Sequence, residues 1–159
     1  MLIDIEVYSI NSILKELLSF IIAFCVGIFL ITYLLNLPTH ITKSPKIVNE
    51  YYSKNFLKNV PLDLFFIFVY FLVVGIIIKL LNIKCYMTKL LIVAIVTALI
   101  TGYFFVYFTS RSVTSNFFSK WFHTVGYTSI IYDVILLVFI YAVFLFIKSK
   151  TSPTKNKQN

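Results

Sequence analysis

Acidic residues are scarce in this sequence: six against fourteen basic ones, in 159 residues of which only 13% are charged. A soluble domain of this size could not cover its apolar surface with so few charges, because a water-facing surface needs polar groups. Cysteine is nearly absent. Cys25 and Cys85 form no C-x-x-C pair and sit in different segments, so a disulfide scaffold is excluded and two unpaired thiols are expected. The two histidines, His40 and His123, fall in separate polar stretches without nearby acids or thiols, a poor metal set. Also missing are H-E-x-x-H, a phosphate-binding glycine loop and a placeable Ser-His-Asp arrangement. No catalytic residue, metal ligand or cofactor is therefore expected, and the protein reads as non-enzymatic.

What the sequence does have is apolar residues, 60% of the chain, gathered into four long runs. They cover residues 17–35, 61–81, 90–108 and 128–147. Each is close to the ~20 residues that cross ~30 Å of hydrocarbon as a helix. Helices are expected over a barrel, because the runs are continuously apolar and a helix satisfies its own backbone in lipid. The expected fold is all-α: a four-transmembrane-helix bundle in a single integral membrane domain, 1–147, followed by a disordered basic tail, 148–159. Asp4, Glu6 and Glu16 precede the first run, where a cleavable signal would carry positive charge, so that run is expected to be a retained span.

Most of the thirteen lysines and the single arginine, Arg111, lie just outside the runs, and Lys79 falls near the end of the second. There they meet lipid headgroups, including anionic lipid at the tail, and a nucleic-acid partner is not expected. With four spans, the N-terminus, second loop and tail share one side and hold eight of the basic residues, against six on the other. Both termini are accordingly expected on the cytoplasmic side of a multi-pass protein.

The two loops on the opposite side have helical patterns of their own. After Ser44 and Pro45, a favourable helix start, Val48, Tyr52, Phe56 and Val60 recur every fourth residue. Phe118, Trp121, Phe122 and Val125 do much the same. Two amphipathic interfacial helices are expected, about 45–59 and 115–124, anchored at headgroup level by Tyr51, Tyr52, Trp121 and Tyr127. "YYSKNF" at 51–56 and "FFSKWF" at 117–122 share a pattern, and each precedes a run with an aspartate near its start. This suggests two pseudo-repeats of span, interfacial helix, span, with both aspartates entering from the same side.

Those aspartates, Asp63 and Asp133, are the chemically distinctive residues. Asp63 follows Pro61 by two residues, so it is expected in the first turn of its helix, where exposed N–H groups favour a carboxylate. Asp133 would lie ~7–8 Å along a helix beginning near Thr128. Charge at mid-membrane costs ~2.5–3.5 kcal/mol, less near the interface. Three readings of Asp133 are open: a hydrogen bond to another helix or an interfacial tyrosine, an ion or proton site, or a helix that starts later. A conducting protein would pair Asp63 with Asp133 near one mouth, with Tyr70, Tyr141, Thr97 and Thr101 as further polar groups. Elsewhere, Ala94, Ala98 and Gly102 form a small-residue stripe, suited to packing within the bundle or to a seam with a second copy.

"NVPLDLFFIFVY" at 59–70 and "WFHTVGYTSIIYDVILLVFIY" at 121–141 resemble segments of small multi-pass membrane proteins of nucleocytoplasmic large DNA viruses. The resemblance covers roughly a third of the chain and rests on Pro-Leu-Asp and Tyr-Asp within apolar helices. It implies a viral membrane protein, in a virion's internal membrane or a host-derived one, and carries no catalytic residues with it. Together these features lead to an expected structural or membrane-organising role, with the lipid bilayer, further copies or other membrane proteins as partners. The alternative is a small ion or proton channel or transporter subunit using Asp133 and Asp63.

Overall fold

The computed structural model describes residues 10–151; Asp4, Glu6 and most of the basic tail lie outside them. Among the described residues every regular element is helical. Helix α1 (Ile10–Gly27) continues without a break into a π-helical stretch, Ile28–Leu34. Short helices α2 (Leu37–Thr42) and α3 (Pro45–Asn49) follow, and α3 runs into a second π-helical stretch, Glu50–Lys54. Then come α4 (Phe56–Leu80), α5 (Tyr86–Thr109), the nine-residue α6 (Phe117–Val125) and α7 (Thr128–Thr151).

Four segments are long and apolar enough to cross a membrane: Ser12–Leu34, Phe56–Leu80, Tyr86–Thr109 and Thr128–Thr151. Their outward faces carry exposed Phe29, Leu72, Ile76, Leu99 and Phe146. Lipid tails solvate such a surface at no cost, whereas in water it would drive aggregation.

Helix α7 packs against both α1 and α5, while α4 leans on α5 and the second π stretch. Glu16, early in α1, is ion-paired with Lys148, late in α7, so those helices run antiparallel. The pair is half-exposed and adds little stability. On α1, Ser19, Ala23 and Gly27 are small residues at four-residue spacing, all buried, and Gly27 meets Ile140 of α7. A methyl group on Gly27 would stand 2.3 Å from Ile140 Cγ1, so glycine sets how closely the two backbones approach.

Several expected boundaries change. Residues 56–59, assigned by periodicity to an interfacial helix over 45–59, instead begin α4. Asn55, at φ −111° and ψ 25°, separates them from the π stretch, and so the apolar face built from Val48, Tyr52, Phe56 and Val60 is interrupted. Val48 and Tyr52 are buried, but Phe56 is exposed. Helix α2 was not foreseen; Asn36 in the left-handed region (φ 47°) and Pro38 at its start set it off from α1. The second short helix, expected at 115–124, forms at Phe117–Val125, capped by Asn116, whose Oδ1 accepts the Phe118 N–H at 3.0 Å. It ends at Gly126, whose φ of +65° lets the chain turn into α7. Helix α7 extends to Thr151 and takes in the first residues assigned to the tail.

The two hexapeptides aligned as a repeat differ in conformation, one lying largely in a π stretch and the other in an α-helix. They do meet in space: the Tyr51 ring lies 4.8 Å from Phe117 and 5.3 Å from Trp121.

Candidate functional site

Helices α4 and α7 are held apart at one end of the bundle, and the gap is a cavity of about 200 Å³. One turn further along, outside the cavity lining, Phe71 of α4 packs edge-on against Tyr141 of α7 at 4.9 Å. Apolar walls come from Phe66 and Ile67 of α4, Phe104 and Phe108 of α5, and Leu136 and Leu137 of α7. Across the other end lies α6, whose Phe122 ring stacks on Phe108 at 5.5 Å and 9°, with Phe118 beside it. Among these apolar side chains, Asp63, Asp133, Tyr70, Thr101 and Tyr52 supply the polar lining.

Asp133 is where the sequence places it, the sixth residue of a helix starting at Thr128, about 7–8 Å along the axis. Its Oδ2 accepts the Thr101 hydroxyl at 3.0 Å. Thr101 has one proton, so the Tyr70 hydroxyl, 3.3 Å away, donates in turn to Thr101. The result is a relay across three helices, Tyr70 to Thr101 to Asp133.

Asp63 is not in the first turn of its helix. Helix α4 starts five residues before Pro61, so Asp63 is its eighth residue, about 10 Å along, beyond the free N–H groups of the N-terminus. Its Oδ1 accepts the Tyr51 hydroxyl instead. Its Oδ2 is buried and has no hydrogen-bond partner among the described residues. No lysine, arginine or histidine lines the cavity, and neither aspartate is ion-paired among the described residues. Two carboxyl groups from different helices therefore face one apolar space without a basic partner among the described residues.

The tyrosines reach this site because of the second π stretch. Consecutive residues of an α-helix point ~100° apart, and the wider π turn, closed by the Asn55 N–H on the Glu50 carbonyl at 3.1 Å, brings both Tyr51 and Tyr52 inward. Tyr52 shares a 2.7 Å hydrogen bond with the Tyr132 hydroxyl, which is 3.1 Å from Thr32 in the first π stretch. Tyr33 also donates to the Tyr52 carbonyl at 2.6 Å. Burial, then the Asp63 carboxyl, pushes the Tyr51 phenol above its ordinary value. Burial, then Tyr132, does the same to Tyr52. Both phenols are held in the neutral form.

Of the expected interfacial anchors, Tyr51, Tyr52 and Trp121 are buried against protein and only Tyr127 is exposed. Their ring faces find better partners in one another than in headgroups. Tyr141 and Thr97, weighed as parts of a path, are buried but do not line the cavity. The stripe Ala94, Ala98, Gly102 lies beside the buried face of α5, which is made by Val93, Val96, Thr97 and Thr101. A methyl group on Gly102 would meet only Ile130 Cδ1, at 3.9 Å, so at this position the stripe packs at an ordinary van der Waals distance. Sequence reasoning passed over Thr32 and Tyr132. Their signal was present as two polar residues inside apolar runs, with Tyr132 next to Asp133.

Compared with known proteins, the chain matches no family model, no curated protein and no solved structure.

Proposed function

We propose that this chain is a small, non-enzymatic integral membrane protein that takes up a cation between α4 and α7 and carries it across the bilayer, as a transporter or transporter subunit. One observation carries the reading: Asp63 and Asp133, from separate helices, face a common cavity that offers them no basic partner among the described residues. Intramembrane carboxyl groups characteristically face a partner, water or a transported ion. The lining is mostly apolar, with no charged group beyond the two aspartates, which favours a carrier over an open water-filled pore. The resemblance noted in the sequence extends the reading to a viral or virus-modified membrane, with both termini cytoplasmic.

A structural, membrane-organising role is the second reading, and the same bonds favour it. Thr101 to Asp133 ties α5 to α7, and Tyr51 to Asp63 ties the π stretch to α4. Charge movement in reconstituted liposomes, offered protons, inorganic cations and organic cations in turn, separates the two. Transport predicts a current with at least one of these that Asp133→Asn and Asp63→Asn abolish. The structural role predicts no current, and variants that melt earlier.

A further inference from the structure

We propose that the occupant of the cavity is an organic ammonium with an aromatic or similarly bulky apolar body, and not a bare metal ion. The inference rests on the cation-carrier reading and names its cargo. Four independent features point the same way.

The first is the lining. Phe66, Phe104, Phe108 and Phe122 line the cavity together with the two aspartates. Aromatic faces carry negative quadrupole density and attract a cation whose charge is spread over methyl or methylene groups. The second is the shortage of ligand oxygens. Hard divalent cations need about six or more. Here Tyr70, Thr101 and Asp133 Oδ2 are engaged with one another, and Tyr52 with Tyr132. Among the described residues no group of three or more His, Cys, Asp or Glu side chains could hold a metal. The third is size. The cavity of about 200 Å³ has room for roughly seven waters. That volume suits a small organic body, and its mostly apolar lining gives water few partners. The fourth is Asp63 Oδ2, buried beside the space without a hydrogen bond. An ammonium supplies the charge complement it lacks, and Tyr51 on Oδ1 keeps the carboxyl group aimed.

The probe pair is benzyltrimethylammonium and its neutral isostere neopentylbenzene, added to the full chain in lipid nanodiscs. Trp121 is the only tryptophan, and its ring lies 5.3 Å from Tyr51, so its fluorescence reports on the site without labelling. The expected result is a saturable change with benzyltrimethylammonium at one per chain. Neopentylbenzene should bind at least roughly tenfold more weakly. Sodium, potassium and calcium should not displace the ammonium. Asp63→Asn should weaken binding by roughly tenfold or more.

Equal binding of the neutral isostere overturns the proposal, because the cavity then recognises apolar bulk alone. Absence of saturable ammonium binding overturns it as well. If sodium, potassium, calcium or protons give an aspartate-dependent current while the ammonium neither binds nor moves, the carrier reading stands and this inference fails. If no cation gives an aspartate-dependent signal, both fail. The comparison of the two probes uses the unaltered protein, so the outcome does not depend on the variant folding.

Discussion

Gly27 of α1 and Ile140 of α7 approach so closely that a methyl group on Gly27 would lie 2.3 Å from Ile140 Cγ1. Ile140 is fully buried, and it is the inner Cγ1 of its side chain, not only the far end, that stands in the way. Gly27→Ala should therefore destabilise the bundle by about 1–3 kcal/mol, the usual cost of overpacking. Ile140→Val should recover part of the loss. Gly102→Ala is the internal control: its nearest neighbour is at an ordinary 3.9 Å, and replacing a mid-helix glycine by alanine gains about 0.5–1 kcal/mol. Thermal melts in detergent of the three variants check the ranking. Equal midpoints for Gly27→Ala and the unaltered protein would show that the α1–α7 seam is looser than described.

Tyr51 and Asp63 should behave as a coupled pair. Tyr51→Phe removes the donor to Oδ1 and leaves the carboxyl group with no hydrogen bond among the described residues. Leaving such a group unsatisfied costs about 1–3 kcal/mol or more. Asp63→Asn keeps the size and changes the acceptor. A double-mutant cycle on the melting free energies should give a coupling of about 0.5–3 kcal/mol, and strict additivity would place the two side chains in separate environments.

The two thiols should differ in reactivity and in sidedness. Cys85 is exposed at the start of α5, where hydrogen bonds from the Thr88 backbone, the Thr88 side chain and Met87 hold its thiol below the ordinary range. A lowered value means more thiolate at a given pH. Its alkylation by a charged maleimide should thus reach half-maximal rate at a lower pH than that of a cysteine in the denatured chain. Cys25 lies on the outward face of α1, within the apolar segment Ser12–Leu34, and should resist the same reagent in a bilayer. Applied to sealed, oriented vesicles, the reagent also reports which side the α4–α5 connection faces. Labelling of Cys85 only from the side predicted to be extracytoplasmic would reverse the orientation drawn from lysine counts.

The four long helices were legible because their signal is compositional: about twenty apolar residues in a row have few alternatives. Asp133 was legible for a related reason, since α7 begins at Thr128 as the sequence indicates. Asp63 was not. Pro61 looks like a helix start, but here it sits inside α4, where the turn before it is already formed. The π stretches escaped because periodicity analysis assumes ~3.6 residues per turn, and they change that count in mid-helix. That one error hid the inward turn of Tyr51 and with it the cover of the site. The small-residue stripes are a different case. Ala94, Ala98 and Gly102 satisfied the small-residue pattern, but Ser19, Ala23 and Gly27 satisfied it too, and spacing alone does not say which stripe meets a bulky partner such as Ile140.

The stretch Glu50–Lys54 also has a genetic meaning. A π turn holds one residue more than the α-helix that would replace it. Deleting a single residue there would leave the chain helical and shift the angular phase of the segment by ~100°. Tyr51 or Tyr52, whichever was displaced, would leave Asp63 or Tyr132 facing empty space while every long apolar segment stayed intact. The smallest deletion in this region would thus act as a rotation, leaving a protein that inserts normally with its cavity lining out of register.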